Sequence, residues 1–161
     1  MRSLLAGIAL GIAILIVPVA AQAAPVVTYQ TGGEQQMLVL LNQIRAQRGL
    51  ATLTASAPLR SAARAHSADM LAQGYFEHDS RSEAWDARIA RYLRSPLVGE
   101  NLAFGAGSEA SPAVIVSQWM RSAHHRAVIL NAGLHRVGLG LALGTFEGTP
   151  GTVMATADFA A

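Results

Sequence analysis

The chain has 161 residues, about one domain's worth, with 52% hydrophobic and 14% charged residues, so it can bury a core and is not a disordered polymer. Its formal charge is +2, and its twelve basic side chains are all arginines scattered along the sequence, which excludes a nucleic-acid-binding patch. Cysteine is absent, which excludes thiol nucleophiles, redox pairs and disulfide staples.

Met1-Arg2 precedes an uncharged apolar run from Leu4 to about Ala20, and Ala21-Gln22-Ala23 has the small-x-small pattern of a signal peptidase site. Residues 1–23 therefore read as a secretory signal, with a retained membrane anchor as the alternative because the run nears spanning length. No basic stop-transfer flank follows, so the expected destination is the periplasm or the outside of the cell. Residues 24–33 form a short polar lead-in, and residues 34–161 one domain without internal repeats.

Thr31 to Glu34 has capping-box spacing, and Met37, Leu40, Leu41 and Ile44 then recur at helical period until Gly49. A second helix starts near Ser56 and Pro58, carries Leu59, Ala62, Ala63, His66 and Met70 on one stripe, and stops at Gly74. A third begins near Ser82, with Trp85, Ile89 and Leu93 on one side, and Ser95-Pro96 breaks it. Ser111-Pro112 opens a fourth with Ile115, Val116 and Trp119. The period then changes: Val137, Leu139, Leu141 and Leu143 alternate with Gly138, Gly140, Ala142 and Gly144, a strand with one nearly bare face against which another layer can pack closely. Residues 147–151 read as a turn, 151–159 as a returning strand, and 98–104 as a third. Helices followed by a small antiparallel sheet predict an α+β fold, with about four helices packed on three strands.

Few residues can carry chemistry. His66 lies on an apolar stripe and reads as a packed core residue, and His135 as an exposed one. His78 follows a helix stop, Glu100 sits between Gly99 and Asn101, and His125 is expected at the end of the fourth helix, where the dipole would favour imidazolium. Two imidazoles and a carboxylate suit either weak zinc binding or a hydrogen-bonded network in which Glu100 orients a histidine. Ser122 and His125 could share a helix face, but no Gly-x-Ser-x-Gly elbow accompanies them, and a serine near a helix end usually bonds backbone. Glu100 with Glu77 or Asp79 would make a carboxylate pair of the glycosidase kind.

Taken together, these blocks resemble the bacterial CAP superfamily, or SCP-like domains, relatives of cysteine-rich secretory proteins, venom allergens and plant pathogenesis-related proteins. The resemblance is carried by Leu41-Asn42-Gln43-Ile44-Arg45 through Gly49-Leu50, by Ala65-His66-Ser67-Ala68-Asp69-Met70 and by Gly74-Tyr75-Phe76-Glu77-His78. It continues in Gly99-Glu100-Asn101-Leu102, Trp119-Met120-Arg121-Ser122 with His125-Arg126, Val137-Gly138-Leu139-Gly140 and Asp158-Phe159, and covers about residues 35–159. It implies an α-β-α sandwich with a central cleft in which His78, Glu100 and His125 take three positions of a two-histidine, two-glutamate site. Ser122 stands where the family's second glutamate would be, which leaves at most His2Glu. The resemblance also implies a binding role, and the leading reading is a non-enzymatic module that uses either this cleft, with residues His78, Glu100, His125, Ser122 and Asn101, or an apolar surface groove. Its expected ligand is a lipid, a cell-wall component or another protein. A metal-dependent hydrolase of peptide or cell-wall material and a structural envelope protein are the alternatives.

Overall fold

The computed structural model describes residues 27–161, so the expected signal segment lies outside the described residues. The element order is β1 (Thr28–Tyr29), α1 (Thr31–Ala46), β2 (Thr54–Ala55), α2 (Ala57–Gln73), α3 (Trp85–Tyr92), β3 (Val98–Ala106), a 3-10 turn (Gly107–Ala110), α4 (Pro112–Arg121), α5 (Ala123–Ile129), β4 (Arg136–Phe146) and β5 (Thr149–Ala160). β3, β5 and β4 form an antiparallel meander in space, with β3 at one edge, and the two-residue strands β1 and β2 decorate the far edge of β4. The sandwich matches the expected α+β class. The short strands and α5 are additions that the hydrophobic pattern is too brief to announce.

Alternation along the strands sorts the two faces. Val137, Leu139 and Leu141 of β4, with Val153, Ala155, Ala157 and Phe159 of β5, face α1, α4 and α5 and form the larger core with Met37, Leu41, Ile115, Trp119 and Ile129. Each large apolar side chain buried there contributes roughly 1.5–3 kcal/mol before entropy is subtracted. The opposite face is the bare one. A Cβ on Gly138 would lie 2.0 Å from the Arg60 backbone nitrogen, and one on Gly140 2.3 Å from that of Arg64. Helix α2 therefore lies directly on the sheet, and glycine is required because no side chain fits between.

Capping chemistry behaves as read at two helix starts. Ser56 accepts from the Leu59 N–H (3.5 Å) and Ser111 from that of Val114 (3.4 Å). Gly74 closes α2 in the left-handed conformation at φ 65°. The capping box at Thr31 is corrected. Thr31 is already helical, Gln30 is the N-cap, and no side chain caps it. The reason is Arg64, whose Nε and Nη2 take the Glu34 carboxylate (2.8 and 2.7 Å), while Nη2 also reaches Thr31 Oγ1 (3.0 Å). The predicted third helix starts at Trp85 and not Ser82, because Asp79 Oδ1 accepts its N–H (2.9 Å). The turn expected over 147–151 tightens to Glu147-Gly148, both at positive φ, and the strands run past it.

Candidate functional site

β3 is the edge strand that carries the site. Its alternation turns Glu100, Leu102 and Phe104 toward the α2 face and Asn101 and Ala103 toward the α5 face. The register sets Glu100 directly opposite Asp158, which is itself opposite Gly138, so the two carboxyl groups share the bare face of the sheet. Helix α3 covers them with Arg88. One Arg88 Nη2 hydrogen donates to Glu100 Oε2, and Nη1 lies 3.5 Å from Asp158 Oδ2. From the loop after α2, His78 Nδ1 donates to Glu100 Oε1 (2.7 Å). The Glu100 side chain is 1% exposed and that of His78 42%, so the network runs from solvent into the interior.

Its charge state follows from these contacts. Burial pushes the Glu100 carboxyl up, but the hydrogen bond from His78 and the charge of Arg88 outweigh it and hold Glu100 below its ordinary value. The bond to Glu100 raises the His78 imidazole against the opposing effect of burial. Asp158 goes the other way: burial and the nearby Glu100 charge lift it well above the usual carboxylate range, despite Arg88. The network therefore sets Glu100, held low, between Arg88 and a His78 that is held high, with Asp158, also held high, beside it.

His66 is buried as expected and donates through Nε2 to the Glu77 carbonyl (3.0 Å), and burial holds its pKa low. His135 is exposed, also as expected. The position of His125 is corrected. Ser122 has extended backbone (ψ 123°), ends α4 and starts α5, so His125 lies in the first turn of a separate helix and not at the end of a long one. Its pKa is lowered, by burial first and then by His124 and His78, the reverse of the dipole expectation. Ser122 Oγ accepts the backbone N–H of His125 (3.5 Å) and so caps α5. Asn101 Nδ2 donates to the His125 carbonyl (3.1 Å) and ties β3 to α5.

Two hollows lie along β3. One, of about 520 Å³, is lined by the ionisable residues His78, Glu100, Asp79 and His124 together with Trp85, Val98 and Val128. The other, of about 300 Å³, is apolar and is lined by Phe76, Phe104, Trp119, Ser122 and His125. Phe76 and Phe104 are 39% and 42% exposed and pack edge to face at 4.8 Å, with Phe104 resting on the buried Phe146 at 5.0 Å. Trp119 Nε1 donates to the Leu102 carbonyl (2.9 Å), which holds α4 against the strand.

The expected trio of His78, Glu100 and His125 is therefore split. His78 and Glu100 are joined, but His125 lines the hollow of Phe76 and Phe104, and its neighbour His124 lines the other. Among the described residues no three His, Asp or Glu side chains are grouped to hold a metal ion. The donors also fit zinc poorly: one Glu100 oxygen faces a guanidinium and the other an imidazole N–H. The nearest carboxyl partner of Glu100 is Asp158, not Glu77 or Asp79. Arg88 was missed in the sequence, although it stands three residues after Trp85 and beside Ile89, on the apolar side of its helix.

A model of the CAP family, described as the cysteine-rich secretory protein family, matches residues 38–156. The chain belongs to that family. Curated relatives of this CAP domain are the uncharacterized protein YkwD of Bacillus subtilis (strain 168), 33% identical over 66% of the chain, and the uncharacterized membrane protein YlbC of the same organism, 34% identical over 70%. The aligned stretches make up only 41% and 32% of those proteins. Among solved structures, the CAP domain superposes on an extracellular SCP-domain protein from Bacillus anthracis str. Ames with a TM-score of 0.68 and 28% identity, over 81% of this chain and 40% of that one. It also shares its fold with an outer surface protein of Borrelia burgdorferi, at a TM-score of 0.72, 17% identity and 84% and 96% coverage. Among the described residues of the CAP domain no helix is long and apolar enough to cross a membrane.

Proposed function

We propose that this protein is an exported, non-enzymatic CAP-domain binding module that holds an amphipathic ligand along β3. The apolar part lies on Phe76 and Phe104, and a polar or anionic head reaches His78 and His124. The observation that carries this reading is a pair of hollows on the same edge strand, one lined by the exposed Phe76–Phe104 pair and the other by the His78 imidazole that Glu100 holds. The reaction chemistry is weaker support for an enzyme. Glu100 is engaged by Arg88 and His78, and Ser122 bonds a backbone N–H and not an imidazole, so neither is poised as base or nucleophile. Export is supported by the apolar segment before Ala24 and by the extracellular and outer-surface relatives of the fold.

The test is a titration with the fluorescent fatty acid cis-parinaric acid. Saturable binding is expected, weakened by Phe104→Ser and, through the head group, by His78→Gln. Absence of binding, together with zinc-dependent hydrolysis of peptide or cell-wall material, would reverse the reading. N-terminal sequencing of the exported protein should begin at Ala24, and a retained Met1 would point to an anchor.

A further inference from the structure

The two short strands on the outer edge of β4 leave a gap between them. β1 pairs with Ala142 and Leu143, and the Gln30 N–H extends that pairing to the Leu141 carbonyl (2.9 Å). β2 pairs with Arg136 and Val137, and the Ser56 N–H takes the Val137 carbonyl (2.8 Å). Backbone groups of alternate strand residues point to the same side. Leu139, between Val137 and Leu141, therefore turns its N–H and C=O away from β5 and into the gap. Neither group has a partner outside the sheet among the described residues, whereas the next outward N–H, that of Leu141, is met by Glu34 Oε1 at 3.3 Å. Backbone polar groups at such a position are normally paired.

The gap opens into a pocket of about 210 Å³ between α1 and the start of α2, lined by Thr31, Glu34, Leu38, Ser56, Arg60 and Leu139 among others. That is several times the roughly 30 Å³ share of one liquid water, so the space exceeds a single bridging molecule. The charge is one-sided. Glu34 is 4% exposed and bound to Arg64 through two hydrogen bonds, which cancels its charge. Arg60 is exposed, and its guanidinium makes no hydrogen bond or ion pair among the described residues. A backbone donor, a backbone acceptor, an apolar wall and a free cation thus converge at one place.

We propose that this gap binds the carboxyl end of an extended peptide. Its last peptide group adds to β4 at Leu139, its terminal side chain rests on Leu38, and its carboxylate meets Arg60. Strand addition supplies the backbone pairing and the guanidinium selects a chain end over a chain middle. This site lies on the opposite sheet edge from the β3 cleft and does not depend on what the cleft binds.

The experiment is an NMR titration of the 15N-labelled protein with acetyl-Ala-Ala-Val-Leu, as the free acid and as the C-terminal carboxamide. The free acid should shift the Leu139 amide saturably. The carboxamide and Arg60→Gln should each weaken binding by about tenfold or more, the scale of one charge-assisted bond. Arg60→Gln should keep the wild-type melting temperature, and Phe104→Ser should leave the Leu139 response unchanged. A Leu139 amide unmoved at millimolar free acid, or equal binding of acid and carboxamide, overturns the proposal. Shifts confined to His78 and Phe104 overturn it too, and would instead credit the β3 cleft.

Discussion

Arg45 and Arg88 are both buried, and they are satisfied in opposite ways. Arg45, at the end of α1, donates to four carbonyls: Ala51 (2.8 Å) from Nε, Ile129 (2.8 Å) and Asn131 (3.0 Å) from Nη1, and Leu134 (3.0 Å) from Nη2. It meets no carboxylate among the described residues, and its work is to pin the chain that leaves α5 to the end of α1. Arg88 meets two carboxyl groups, yet its Nε and Nη1 lack hydrogen-bond partners among the described residues, as do both Asp158 oxygens. A guanidinium surrounded by carbonyls is a fixed structural joint. One set between acids of differing proton affinity belongs to a network whose stability depends on pH. Buried polar groups left unsatisfied are more characteristic of a site than of a scaffold.

The comparison can be broken most forcefully at Arg45. Arg45→Ala leaves four carbonyls without donors, two of them in buried bonds, and should cost about 3–5 kcal/mol in urea unfolding, since each charge-assisted bond is worth about 1.5–3 kcal/mol and the losses overlap. A loss under about 1 kcal/mol would mean that the carbonyls find water and that the joint is not structural. Arg88→Met should cost somewhat less, about 2–4 kcal/mol, because it removes the guanidinium from the buried Glu100 while His78 still holds that carboxylate. Adding Glu100→Gln to Arg88→Met should restore part of that loss, and strict additivity in the double-mutant cycle would deny that the two form one network.

Glu100→Gln alone should lower stability by about 1–3 kcal/mol, and in an NMR titration the His78 imidazole should fall back toward its ordinary pKa. An unchanged melting temperature would contradict the buried ion pair. The pH signs differ along the network. Glu100, held low, contributes stability that is present above the ordinary carboxylate range and lost as pH falls through its folded pKa. His78, held high, contributes stability that is complete below its ordinary pKa and lost as pH rises through the folded one. Asp158 is also held high, so it subtracts stability as pH climbs from the ordinary carboxylate range to its folded pKa. The smallest effect expected is that of Asp158→Asn, which cannot ionise. It should leave the melting temperature equal or higher above the ordinary carboxylate range and flatten its decline as pH climbs from that range to the folded pKa of Asp158. A fall as large as that of Glu100→Gln would show that Asp158 is ionised in the fold.

Much of this architecture was legible because its causes are local. Ser56, Gly74 and Ser111 cap helices through bonds within a few residues, and the glycines of β4 announce a close layer by lacking side chains. Family membership was legible too, since it rests on the order of short blocks. The reading went wrong where a distant group won the competition. Arg64 on α2 took the carboxylate and hydroxyl that would have made a capping box at Thr31, and a change of ψ at Ser122 turned one helix into two and exchanged the surroundings of His124 and His125. Arg88 and Asp158 lie 70 residues apart and meet only because α3 packs over the face where β5 sets Asp158 beside Glu100. Local periodicity thus determined which residues form elements and which faces are apolar. Tertiary packing alone decided which charges share the interior, because electrostatic partners are chosen by distance in space and by burial, and neither is written in the spacing along the chain.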